Sequence, residues 1–182
     1  MSPRGQRPPS GAGRWFAALS LALLAVPATA AAPVPPAPTA TAPADATFAA
    51  MKALVGTWRN ADNPASPLRI HFYLTAGGTV LVEDWRRGTQ PHSLTLYHRD
   101  GPRLIATHYC PQGNQPRLAL TSTTPGQPRF TFHDATDLDP ATESAVHDLA
   151  FDLTDPTRVV RSEVYRSAKG DEADRLVLMR VD

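Results

Sequence analysis

The side chains of this sequence that could do chemistry are concentrated in one stretch of ten residues. It contains a histidine, the only cysteine, three amides and an arginine, and the residues predicted to bind a ligand are His108, Cys110, Asn114, Gln115 and Arg117. The pattern is typical of the end of one β-strand, a tight turn and the start of the next strand. Polar groups gathered at a strand end are where a β-barrel forms the mouth of a ligand pocket. We therefore predict that a small molecule binds at this end of the protein.

His108 and Cys110 are two residues apart on the predicted strand, so their side chains point to the same side. Leu104 and Ala106 share that side, which we expect to face the inside of a barrel. Two interpretations stay open: a hydrogen-bonded core histidine beside a small buried thiol, or the lining of a binding pocket. A zinc site formed with His147 lacks a recognised ligand spacing, so neither a metal nor a cofactor is predicted.

The other predicted ligand-binding residues lie on neighbouring segments. Asn114, Gln115 and Arg117 lie on the two sides of Pro116. Arg117 could receive an anionic head group because guanidinium pairs with carboxylate through two hydrogen bonds. Ordinary turn chemistry is the alternative for these three residues. His147 lies between apolar residues on the predicted inward face of a late strand, where an imidazole could ligate haem or orient a ligand carboxylate. A core histidine is the alternative there, and Tyr97 on an earlier strand completes the predicted set.

Catalysis has little support in the sequence. The nominal pairs of nucleophile and base are Cys110 with His108 or with His147. Side chains two residues apart on one strand are separated by about 7 Å, which is too far for a ready dyad. The sequence contains no G-x-S-x-G motif, no phosphate loop and no pair of catalytic carboxylates. No catalytic residue is predicted, and a small hydrolase or isomerase remains an alternative.

The elements that must position these residues are β-strands. From residue 57 onwards, apolar and polar residues alternate between turns rich in Gly, Pro and Asp. This predicts an all-β fold, an antiparallel up-and-down barrel of nine or ten strands, with a two-sheet sandwich as the alternative. A short helix over Ala46–Leu54, capped by Asp45, precedes the strands. Glu83 is interpreted as an exposed partner of Arg86 or Arg87.

The N-terminal segment is typical of an export signal. Arg4, Arg7 and Arg14 precede an apolar run that ends at Ala28-Thr29-Ala30, which predicts a signal peptide over residues 1–30. Residues 31–46 form a Pro/Ala-rich linker, and residues 47–182 form the barrel domain. We expect a periplasmic or secreted protein that is not a lipoprotein and has no stable membrane insertion after cleavage.

The charge of the chain excludes one class of partner. Residues 1–30 contain three of the 18 basic residues and no acidic residue. The mature chain therefore has 15 basic and 17 acidic residues, a net charge of −2. A chain with this balance has no electrostatic footprint for nucleic acid or anionic lipid. Cys110 is alone, so the chain cannot form an internal disulfide. The sequence does not determine the oligomeric state.

A family resemblance supports the barrel. Leu54-Val55-Gly56-Thr57-Trp58 resembles the helix and G-x-W start of calycins, which include lipocalins, fatty-acid-binding proteins and nitrobindins. Thr95–Gly101, Leu104, Thr107–Cys110 and Gly113–Arg117 resemble a pattern in small bacterial proteins described as DUF1579-like or lipocalin-like. The resemblance covers residues 48–165 and implies a calycin-type barrel with no established activity. The haem-ligating segment of nitrobindins has no match, so the resemblance does not imply haem.

The function predicted from the sequence is binding of a small, largely apolar molecule in the barrel cavity. A filled barrel that acts as an envelope interaction module is the alternative, and it requires large inward side chains on every strand. A binder requires some small inward residues, such as Ala106 and Ser122. An enzyme requires an inward polar cluster with mutual hydrogen bonds. On the binding hypothesis, His108→Ala and Arg117→Ala weaken ligand binding.

Overall fold

The computed structural model describes residues 42–122 and 124–181. Helix α1 (Ala42–Met51) and a short 3-10 turn (Lys52–Leu54) precede ten strands. The strands are β1 (Gly56–Asn60), β2 (Leu68–Thr75), β3 (Val80–Arg87), β4 (Gln90–Asp100), β5 (Arg103–Tyr109), β6 (Gln115–Leu120), β7 (Arg129–Thr136), β8 (Ala145–Asp152), β9 (Arg158–Ser167) and β10 (Gly170–Arg180). The predicted signal peptide and most of the predicted linker lie outside the described residues. Of the helices described, none is both long and apolar enough to cross a membrane.

The ten strands form one closed antiparallel barrel. Each strand pairs with its neighbour in sequence, and β1 pairs with β10 to close the sheet. The prediction of an all-β up-and-down barrel is therefore confirmed, and the two-sheet sandwich is wrong. Short turns between alternating strands favour this topology because each strand can pair with the next one without a crossover. Closure leaves the sheet without a free first or last strand.

Helix α1 closes one end of the barrel. Its buried side chains Ala44, Phe48 and Met51 belong to the same apolar core as the strands. The helix begins at Ala42, inside the predicted linker, so Asp45 lies in the first turn and is not the cap. Asp45 instead forms an ion pair with Arg99, which lies near the β4–β5 turn. The end with the β4–β5 turn is thus the helix end, and the end with the β5–β6 turn is the open end.

The helix half of the interior is filled by large side chains. The rings of Tyr97 and Phe130 lie 5.5 Å apart, those of Tyr97 and Phe151 6.1 Å apart, and those of Phe72 and Phe151 6.4 Å apart. All four residues are buried, as is Trp58 beside them. Ring separations in this range are normal for packed aromatic pairs. The inward positions that remain for a ligand are those nearer the open end.

The G-x-W start has a clear structural role at the helix end. Trp58 is buried and its Nε1 donates to the Leu54 carbonyl oxygen at 2.7 Å. The Arg180 guanidinium lies 4.5 Å from the Trp58 ring and donates to the carbonyl oxygen of Val55 at 2.7 Å. Gly56 has φ +137°, and a Cβ at this position would collide with Arg180 Nη1. The φ of +137° requires glycine at this position, and a side chain there would also displace the end of Arg180.

The leucines of β4 do not lie on its inward face. On β4, the alternation groups Leu94 and Leu96 on one face, but it is Thr95 and Tyr97 that point inward with 0% exposure. Leu94 is 37% exposed and pairs with the exposed Tyr109 of β5. Apolar residues on the outer face give the same alternation as residues of the core. A shift of one residue in the predicted register exchanges the inward and outward side chains of the whole strand.

On β8, the prediction that His147 faces inward with Leu149 and Phe151 is wrong for His147. A β-bulge interrupts the pairing of β8 with β9 between Val146 and Asp148. Val146 and Leu149 are both buried in the core as a result. The extra residue of a bulge leaves the normal alternation. His147 therefore lies on the outer face, where its Nδ1 is 2.9 Å from a carboxylate oxygen of Asp148.

Candidate functional site

The open end of the barrel contains a pocket of about 240 Å³, which we call the mouth pocket. The β5–β6 turn, the β7–β8 loop and the β9–β10 hairpin form its walls. Its lining includes Gln112, Ser144, Tyr165, Ser167, Lys169 and Glu172. The stretch that the sequence singled out thus lies at this end, and it contributes Gln112 to the lining. Gln112 Nε2 donates to Ser144 Oγ at 3.0 Å, which joins the turn to the loop.

Below the mouth pocket, a charged cluster lies inside the barrel, and we call it the inner cluster. Its members are Glu83, Trp85, Tyr97, Arg161 and Glu163. Glu83 is completely buried, and its carboxylate accepts three hydrogen bonds. Trp85 Nε1 donates to Oε1 at 2.7 Å, Arg161 Nε donates to Oε1 at 2.6 Å, and the Tyr97 hydroxyl donates to Oε2 at 2.5 Å. These donors supply the stabilisation that a buried carboxylate requires.

Arg161 connects the two carboxylates of the inner cluster. Its Nη1 donates to Glu163 Oε2 at 2.8 Å, and its guanidinium lies 4.7 Å from the Trp85 ring. Burial disfavours the charge of Arg161, but Glu83 and Glu163 outweigh that effect, so the pKa of Arg161 is raised. Two carboxyl groups face one guanidinium, so the inner cluster has a formal charge of −1.

His108 lies next to the inner cluster as a neutral base. Its Nδ1 is 2.9 Å from Thr95 Oγ1, and its Nε2 is 3.4 Å from the Tyr165 hydroxyl. Burial, reinforced by the charge of Arg161, lowers the pKa of His108 to about 4. Burial also raises the pKa of Tyr165, so the phenol keeps its proton. The row Thr95–His108–Tyr165 is therefore uncharged at neutral pH and leads from the interior to the mouth pocket.

Solvent reaches these inward residues through the open end. Trp85, Ser93, Glu163 and Tyr165 occupy inward positions of their strands, yet each is only partly buried. Helix α1 covers the other end of the barrel, so water meets these inward side chains from the open end. Tyr165 lines the mouth pocket as well as contacting His108. It connects the space available to a ligand with the polar interior.

The structure brings some of the predicted site residues together. Tyr97 and His108 both point inward. The Tyr97 hydroxyl donates to Glu83, and His108 Nδ1 is hydrogen-bonded to the Thr95 hydroxyl. Cys110 is a partly buried free thiol at the end of β5, 3.5 Å from Gln112 Nε2. Asn114 is completely buried and donates to the Ser144 carbonyl oxygen at 3.1 Å, so it fastens the β7–β8 loop.

Three predicted residues lie away from the inner cluster. Gln115 donates to the Gly113 carbonyl oxygen, which is turn chemistry. Arg117 is exposed on the outer face of β6, and its Nε donates to Asp134 Oδ1 at 2.6 Å. Its predicted place at the pocket mouth is wrong because the inward residue of this segment is its neighbour Leu118. His147 lies on the outer face of β8, as described above.

The residues that carry the inner charge were not among those predicted from the sequence. Glu83 does not pair with Arg86 or Arg87; Arg86 Nε instead donates to Asp84 Oδ2 at 2.7 Å. One signal could have indicated the buried carboxylate, since Glu83 alternates with two apolar residues that face inward, Leu81 and Trp85. On β9, Arg161 and Glu163 alternate in the same way with the buried Val159.

Comparison with known proteins does not assign a family. No protein-family model matches the chain, and a search of curated proteins finds no significant match. The resemblance to DUF1579-like and lipocalin-like proteins therefore stays a prediction. Within residues 42–122 and 124–181, no group of three or more His, Cys, Asp and Glu side chains is placed to hold a metal ion. The structure itself shows a closed ten-stranded antiparallel barrel with a helix at one end and a charged interior at the other.

Proposed function

We propose that this protein is an exported barrel that binds a small molecule at its open end. The observation that carries the proposal is the double position of Tyr165, which lines the mouth pocket and contacts the buried His108. The row Thr95–His108–Tyr165 continues from a solvent-accessible pocket into the barrel. Such a row offers directional hydrogen bonds to a ligand. The apolar part of the ligand would contact Ala141 and Ala168 of the pocket wall.

The charge of the inner cluster selects the chemistry of the ligand's head group. Two carboxylates and one guanidinium leave one uncompensated negative charge in a region of low dielectric. Such a region repels a carboxylate and attracts a cation or a hydrogen-bond donor. Lys169 and Glu172 at the mouth pocket carry opposite charges, so they do not reverse this preference. The ligand thus has a protonated amine or a neutral donor at its head, and not the anionic group expected from Arg117.

The other two functions have less structural support. A filled interaction module agrees with the packed helix half, but not with the partly exposed polar residues of the open half. The inward polar cluster with mutual hydrogen bonds is the feature required of an enzyme. However, the hydroxyl that meets His108 Nδ1 belongs to Thr95, which is completely buried and cannot approach a substrate. Binding without catalysis is the function that this arrangement favours.

Two probes that have an eight-carbon skeleton and head groups of opposite charge test the proposal. n-Octylamine is protonated at neutral pH, and octanoate is ionised. Trp85 belongs to the inner cluster, which the head group of the ligand would approach, so its fluorescence reports occupancy. Trp58→Phe removes the signal from the helix end. We expect n-octylamine to change Trp85 fluorescence and to raise the melting temperature, and octanoate to do neither. Native mass spectrometry of protein purified from its host would reveal a resident ligand as an added mass.

Variants connect the response to the proposed residues. Tyr165→Phe and Glu163→Gln should each weaken n-octylamine binding by about tenfold, the equivalent of one charged hydrogen bond. Arg117→Ala on the outer face serves as the matched control and should bind normally. A clean apo mass together with no response to either probe would overturn the binding proposal and favour the filled barrel. Edman sequencing of the purified protein tests export, since cleavage after Ala30 gives a new N-terminus at Ala31.

A further inference from the structure

We propose a second binding site, separate from the open end, that takes a small neutral apolar molecule. It is a pocket of about 340 Å³ on the outer side of β8 and β9, and we call it the side pocket. The β7–β8 loop covers it. Its apolar lining consists of Phe132, Leu138, Pro140, Ala145 and Ala168. The volume lies within the range of small-molecule sites, about 300–1,000 Å³.

The side pocket exists because β7 and β8 separate towards the open end. The two strands pair only from Arg129 to Thr131 on β7, opposite Asp148 to Ala150 on β8. Past Thr131, β7 continues beside β6 alone, while the start of β8 continues beside β9. The loop of residues 137–144 bridges the resulting gap. Ala145 is only 5% exposed although its position on β8 is outward, which shows how completely the loop covers this face.

One wall of the side pocket is a rigid aromatic pair. The rings of Phe132 and His147 are stacked with centroids 5.6 Å apart and planes 7° apart. His147 Nε2 is 2.8 Å from Arg166 Nη1. A guanidinium can only donate, so Nε2 accepts this bond and the imidazole proton is on Nδ1, where it meets Asp148. Both nitrogens of His147 are therefore engaged by the protein.

The remaining polar side chains of the lining also form hydrogen bonds within the protein. Arg166 Nε and Nη2 donate to the two carboxylate oxygens of Asp171, each at 2.9 Å. Glu143 Oε2 accepts from Asn114 Nδ2 at 3.2 Å, and Ser167 Oγ donates to the Gly170 carbonyl oxygen at 3.2 Å. A charged ligand would have to replace these bonds, whereas an apolar one gains by leaving water. The lining therefore selects a neutral, apolar molecule.

The side pocket is distinct from the mouth pocket in residues and in chemistry. The two share only Ser167 and Ala168, at the β9–β10 turn. Tyr165 belongs to the mouth pocket alone, and His147 to the side pocket alone. Changes at Glu163 or Tyr165 should thus leave the side pocket unaffected, and its ligand need not compete with a ligand at the open end.

N-phenyl-1-naphthylamine, a neutral apolar dye that fluoresces when it leaves water, tests the side pocket. We expect its fluorescence to rise on addition of the protein. Ala145→Leu fills the pocket with added methyl and methylene groups, and Leu138→Asp places a charge in its wall. Each should weaken dye binding by about tenfold or more, because the leucine occupies the volume that the dye would fill and the aspartate replaces apolar surface against which the dye would be buried.

Ala173→Leu, an exposed alanine on β10 outside both pockets, is the matched control and should bind the dye normally. Glu163→Gln should also bind it normally, which separates this site from the open end. Circular dichroism checks that Ala145→Leu is folded; if it is not, Leu138→Asp in the partly buried loop decides alone. No fluorescence rise with the unaltered protein, or unchanged binding by folded Ala145→Leu and Leu138→Asp, would overturn the proposal.

Discussion

Arg161 Nε lies 2.6 Å from Glu83 Oε1, between side chains that are 2% and 0% exposed. The pair joins β9 to β3 across the interior of the barrel and is 78 residues apart in sequence. It marks the level at which the interior changes from packed aromatic rings to polar groups. Removal of Arg161 would leave the buried Glu83 without a positively charged partner, which is among the costliest changes in a protein interior.

The first prediction concerns this ion pair. Arg161→Met should lower the free energy of unfolding by about 3–5 kcal/mol, because it leaves the buried Glu83 without a cation. Glu83→Leu should cost less, because Arg161 keeps its ion pair with Glu163. The double variant removes both charges and should lose clearly less than the sum of the two single variants. Urea denaturation of the four proteins measures this coupling. Strictly additive losses would show that the two charges do not stabilise one another.

The second prediction concerns the pH dependence of stability. His108 has a pKa of about 4 in the folded protein, against 6.5 as its ordinary value. Between these values the unfolded chain binds a proton that the folded protein does not, so acid favours unfolding. The contribution is fully present above pH 6.5 and is lost as the pH falls to 4, a change of about 3 kcal/mol.

Denaturant titrations between pH 7.5 and pH 4 measure this slope. His108→Gln, which keeps a hydrogen-bonding group for Thr95, should flatten it relative to the unaltered protein. His133→Gln, at an exposed position on the outer face, is the matched control and should keep the original slope. An identical slope in His108→Gln would show that His108 is not the group that titrates in this range.

The third prediction concerns the first strand. Gly56→Ala should destabilise the protein by about 1–3 kcal/mol through backbone strain, and further by displacing Arg180 from the Val55 carbonyl. Gly101→Ala is the matched control, since Gly101 also has positive φ but has open space around it. It should cost only about 1 kcal/mol. Thermal unfolding compares the two, and equal losses would show that the contact with Arg180 is unimportant.

The fourth prediction concerns Arg117. Its hydrogen bonds to Asp134 hold the pKa of that carboxyl below its ordinary value, and both groups lie on the outer face. Arg117→Ala should leave n-octylamine binding unchanged and should alter stability little, since exposed ion pairs contribute little. Any small effect should disappear in high salt. Weakened binding by this variant, measured by Trp85 fluorescence, would return Arg117 to the ligand site.

Much of the fold could be predicted from local features of the sequence. Alternation with period two, interrupted by turn residues, was sufficient to predict the barrel. The regularly spaced apolar residues around Phe48 were sufficient to predict the helix that precedes it. The inward position of His108 also follows from its spacing to Leu104 and Ala106. These features depend on neighbours within a few residues, where the geometry of a strand or a helix determines which side chains share a face.

The order of residues along the chain was thus sufficient for the fold class, the order of the strands and the position of the turn at the open end. Which charges meet depends on the folded barrel. Glu83 and Arg161 belong to strands that do not pair with each other, so only closure of the barrel brings them together. The folded barrel also shows that a bulge turns His147 outward. On β4 it shows that the exposed Leu94 points outward, whereas Thr95 and Tyr97 point inward. A single inserted residue or a shift by one position has this effect because side chains alternate at every residue of a strand.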